Sequence, residues 1–167
     1  MLNCTGKCVA ALAGGTHPVA GICCAALERD LQYWRSMIVS SVASQELIRT
    51  GLLSVNAQLA SAAASGGGTA GVALSVTPAE AQAAGESLFR FAQRGTAFVQ
   101  ASHVSDPAER RALGSAVARR LVADFAALGS GGRAVWGDGA PPLPCSPKQL
   151  AALLGAQEEA GKVPGGQ

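Results

Sequence analysis

The sequence predicts an all-α fold, and three observations carry that reading. Helix-start signals of one chemical type open three separate segments. Apolar residues recur at helical spacing through most of the chain. No segment alternates with period two for long enough to form a sheet, and "VALSVT" at residues 72–77 is an isolated strand candidate. The expected arrangement is three main amphipathic helices and a short C-terminal one, packed as an antiparallel bundle or an open helical array.

With 167 residues the chain has the length of one ordinary domain, expected over 16–160 between a flexible lead (1–15) and a flexible tail (161–167). The lead shows no periodicity. Thr16 or His17 then caps a first helix with Pro18 in its first turn, and the pattern continues through residues 17–63. Gly51 is its one weak point, a kink or break that costs about 1 kcal/mol against alanine. "ASGGGTAG" ends it as a linker. Thr77-Pro78-Ala79-Glu80 is a capping box with proline in the first turn, and opens a helix expected over 78–103. Asp106-Pro107-Ala108-Glu109 repeats the logic for 107–128, where "GSGG" reads as a stop. A proline-rich connector, "APPLPCSP", follows. Ser146-Pro147-Lys148-Gln149 starts the last helix, 147–160.

Hydrophobic residues make up 49% and charged residues 14%, which excludes a solvated, disordered chain. A net charge of +2 excludes a nucleic-acid surface, which needs clustered cations. Arg110-Arg111 and Arg119-Arg120 have acids nearby and read as solvated helix positions. Residues 8–27 lack charge, but Gly14-Gly15 and His17-Pro18 interrupt them, so no transmembrane segment is expected, although peripheral surface association remains open. Lys7 with residues 9–13 is too short a pattern for a signal peptide. The expectation is a cytoplasmic protein with reduced thiols.

The vicinal cysteines of "GICCAALERDLQYW" raise the sharpest question. At 100° per residue, Ala20, Cys23, Leu27, Leu31, Trp34, Ile38, Val42, Ile48, Leu52, Val55 and Leu59 form one stripe. Cys23 falls in it, as a small core hydrophobe, and Cys24 at its edge. Adjacent helical side chains diverge too far for a disulfide. Cys4, Cys8, His17, Cys23 and Cys24 together supply the residue types of a zinc site. A vicinal pair on a helix makes a poor second ligand pair, so neither metal nor cofactor is expected.

No catalytic set emerges. His103, Ser105 and Asp106 are nearly contiguous and lack the separate supports of a triad. The glycine runs follow helices and lack the ending of a phosphate loop. On the second helix Ala81, Ala84, Gly85, Leu88, Ala92, Gly95, Val99 and Ser102 share a small-residue face, with Phe91 and Phe98 along one edge and Phe89 along the other. Such a face admits a close neighbour. The first helix is expected to outrun its neighbours, leaving residues 48–59 without intramolecular cover. The interface residues expected are therefore Ile48, Leu52, Val55, Leu59, Gly85, Phe91, Gly95 and Phe98.

These features point to a non-catalytic helical interaction or assembly subunit that packs on itself or on a protein partner. In its alanine-rich amphipathic composition, though in no motif, the chain resembles the phasins. That likeness implies a second reading, a coat protein on a granule or lipid surface. A third is a small metal- or redox-responsive protein using the N-terminal cysteines.

Overall fold

The computed structural model describes residue 9 and residues 18–64, 75–95 and 104–156. Among these residues the chain is all α, with five helices and no strand. They are α1 (Pro18–Arg49), α2 (Leu52–Ala64), α3 (Pro78–Gln93), α4 (Pro107–Trp136) and α5 (Pro147–Leu154), with a 3-10 turn at Gly137–Gly139 after α4.

The start signals act as their chemistry requires. At α3, Thr77 accepts from the Glu80 backbone N–H, while the Glu80 carboxylate accepts from the Thr77 N–H at 2.7 Å. Those bonds from Thr77, backbone first and hydroxyl second, hold the Glu80 carboxyl below its ordinary pKa. Ser146 and Gln149 form the same reciprocal box at α5. At α4 the Asp106 carboxylate accepts from the Ala108 N–H at 2.8 Å.

The stop signals behave differently. The first predicted helix is two helices. Gly51 adopts φ +76°, and the Thr50 hydroxyl donates to the carbonyls of Glu46 and Leu47, closing the end of α1. The third helix runs through "GSGG" to Trp136, eight residues past the expected end. The glycines there serve packing rather than termination. A Cβ at Gly131 would lie 3.3 Å from Leu59 Cβ, and one at Gly129 only 2.8 Å from Leu143 Cδ1. Gly137, at φ +57°, follows the end of α4 instead. α3 ends at Gln93, ahead of Gly95 at φ +75°. Gly155, at φ +68°, ends α5, and residues 96–103 and 157–160 lie outside the described part.

Contacts gather in two compact units. One, within residues 1–42 and 97–114, buries Leu31, Val42, Val104 and Leu113. Here the Arg35 guanidinium grips the Glu109 carboxylate with two bonds of 2.6 Å, tying α1 to α4 and raising the Arg35 pKa. Arg110 donates twice to the Val104 carbonyl at the start of α4.

The other unit, within residues 43–96 and 115–167, has a core of Phe125, Leu47, Leu52, Leu59, Leu88, Leu121, Leu150 and Val117. α3 packs on both α2 and α5. Asn56 crosses from α2 to donate to the Asp124 carbonyl at 2.8 Å. The proline-rich connector is strapped down, with Leu143 over Gly129 and Pro144 over Gly85.

Candidate functional site

α1 is apolar on two opposite sides. In the first unit Leu31 and Val42 are buried, and Cys24 stands within about 20° of both around the helix. On the far side Ile22, Tyr33 and Met37 fall within an arc of about 60°, with Trp34 about 60° further round. These four are 72%, 58%, 48% and 43% exposed. The Tyr33 and Trp34 rings meet edge to face at 5.6 Å between centroids. One apolar face of a helix is thus covered by its own chain and a second faces water, which is costly unless something covers it.

The cysteines correct the expected stripe. Cys23 is exposed, not a core residue, because the buried direction lies further around α1 than the counted stripe. Cys24, half-buried, is the one turned inward, its thiol 3.8 Å from the Val9 carbonyl oxygen. Val9 also lines an open groove of about 800 Å³ beside Leu31 and Arg35. Among the described residues no three His, Cys, Asp or Glu side chains gather to hold a metal. Cys4, Cys8, His17, Phe98 and His103 lie outside the described residues.

Thiol reactivity follows from this geometry. Burial pushes the Cys145 thiol up, against a smaller opposing bond from the Leu150 backbone N–H. Cys23 is therefore expected to alkylate ahead of Cys24 and Cys145 near neutral pH, since the exposed thiol meets the reagent first. Peptide mass mapping after timed iodoacetamide pulses checks the order, and modification of Cys145 as fast as Cys23 would contradict it.

The expected interface also changes. Leu52, Val55 and Leu59 are buried within the chain, so they offer no surface to a partner. One unbroken rod over residues 17–63 would leave its far end uncovered. The break at Gly51 makes α2 a separate helix, and the longer α4 covers it, as the contact of Leu59 with Gly131 shows. Gly85 is closed off by Leu128, Pro144 and Phe125. Ile48 remains 64% exposed, Gly95 is exposed, and Phe91 is half-buried. Ile22, Tyr33 and Met37 went unnoticed in the sequence, although their spacings of eleven and four residues put them on one face.

The basic pairs are all exposed and make local bonds. Arg111 donates to Pro107, Arg119 to Ser115, and Arg120 pairs with Asp124. No helix among the described residues is long and apolar enough to cross a membrane. No protein-family model matches the chain, and neither a curated protein nor a solved structure matches it.

Proposed function

We propose that this chain is a non-catalytic helical assembly subunit of a reducing, cytoplasmic compartment. It associates through the outer face of α1, and its first partner is a second copy of itself. The observation that supports this is the exposed row of Ile22, Tyr33 and Met37 with Trp34 beside it. Aromatic and methionine side chains are the types that interfaces favour. Two such rows from two copies shield each other's apolar area, while the buried side of α1 is already engaged.

The test is the double variant Tyr33→Ser, Met37→Ser. Wild type is expected to exceed 16.7 kDa in light scattering and native mass at high micromolar concentration. The variant is expected to run at that mass with unchanged helix content, because both side chains are exposed, and to melt independently of concentration, whereas wild type melts higher as its concentration rises. Wild type that stays at 16.7 kDa throughout would overturn the reading. Co-flotation with phospholipid vesicles, with a gain in helix, would replace it by the surface-coat alternative.

A further inference from the structure

The second unit carries a different feature, a cleft of about 160 Å³ where the end of α1 meets the last turn of α3. From α1 come Glu46, Arg49 and Thr50, and from α3 Ser87, Arg90, Phe91 and, at its cap, Arg94. The α3 residues are three or four apart and therefore share one face.

Three guanidinium groups in one recess repel each other, and the chain offsets this only in part. Arg49 is held by Glu46 at 3.1 Å and Arg90 by Glu86 at 3.0 Å. Arg94 has no ion pair among the described residues. Arginine in the last turn of a helix complements the carbonyl end of its dipole, which accounts for Arg49 and Arg90 one helix at a time. It does not account for the convergence of two helices' arginines on one recess that also holds a serine hydroxyl and a half-buried phenyl ring.

We infer that this cleft binds a small phosphate monoester, with the phosphate on Arg90 and Arg94 and the organic group against Phe91. The lining carries three arginines and one glutamate, and Glu86 holds Arg90 from beside the cleft, so the group keeps a surplus of one positive charge, that of Arg94, which an anion entering the cleft balances. Guanidinium forks match phosphate oxygens in pairs, and a ring gives a planar apolar body a surface to lie on. The carbonyl ends of α1 and α3 oppose an anion here, so binding rests on the arginines and weakens with added salt. The inference concerns a site apart from the α1 row and does not rest on the assembly reading.

The experiment titrates the full chain with phenyl phosphate and with inorganic phosphate, in calorimetry and thermal melts, with chloride at matched ionic strength as control. Phenyl phosphate is expected to bind saturably, more tightly than inorganic phosphate, and to raise the melting temperature. Arg94→Gln is expected to weaken it about tenfold, the size of one lost charge-assisted bond. That side chain is exposed and has no ion pair among the described residues, so circular dichroism should be unchanged. Arg119→Gln, on α4 outside the cleft, should bind as wild type does. The proposal is overturned by non-saturable binding, by an unchanged constant in Arg94→Gln, by equal weakening in Arg119→Gln, or by inorganic phosphate binding as tightly as the ester.

Discussion

Phe125→Ala is expected to lower the stability of the protein by about 3–5 kcal/mol. The ring is fully buried on α4, and its Cε2 atom stands 3.7 Å from where a side chain would begin at Gly85 of α3. Phe125 is the largest of the wholly buried side chains, and the rest of the core is leucine, valine and alanine. Small side chains close a gap poorly, because each is anchored to a helix that must move as a whole. Removing the ring therefore loses both its transfer free energy and the contacts of the cavity walls. Against a total stability of about 5–15 kcal/mol, the loss is a large share. Equilibrium urea unfolding followed by circular dichroism measures it. A change below about 1 kcal/mol would mean that α3 and α4 collapse onto the space, contrary to the reading of a close-packed core.

Starts were legible in the sequence and stops were not, for a physical reason. A capping box is local chemistry: Thr77 with Glu80, and Ser146 with Gln149, need only the four residues that contain them. A glycine is ambiguous. At Gly51 it supplies a positive φ and ends a helix. At Gly131 it stays helical and lets α2 approach, because Leu59 sits where a Cβ would crowd it. Only the partner helix distinguishes the two, and the partner is remote in sequence. The same limit displaced the α1 stripe. Periodicity gives a direction but not what lies there, and α1 buries different sides along its length. Leu47, buried in the second unit, stands about 140° around the helix from Val42, buried in the first. A single stripe drawn through both parts puts Cys23 inside and hides the outward row of Ile22, Tyr33 and Met37. The arginine cleft escaped for a related reason. Its residues come from the ends of two helices whose meeting no local pattern announces.

Leu59→Ala is the sharpest test of where α2 belongs, with an expected loss of about 2–5 kcal/mol. Leu59 is only 1% exposed, and its Cβ, Cγ and Cδ1 atoms all lie within 4 Å of the point where a Cβ would stand at Gly131. Were it an association residue, truncation would shift the assembly equilibrium and spare the isolated chain. Buried as it is, truncation should destabilise the chain at every concentration. The partner glycine gives an internal control. In wild type, Gly131→Ala gains about 1 kcal/mol of helix propensity but must press on Leu59 at 3.3 Å, so its net effect is small. In the Leu59→Ala background the Cβ at 3.3 Å remains, but the γ and δ carbons at 4.0 and 3.5 Å are gone, so the two helices can shift and the new methyl can enter part of the space they leave. The double variant should therefore be more stable than the two single changes predict, a favourable coupling of about 0.5–1.5 kcal/mol. A four-member urea-unfolding cycle measures that term. Strict additivity would show that α2 and α4 do not meet at this pair, and with it the reason for reading "GSGG" as helix interior would fall.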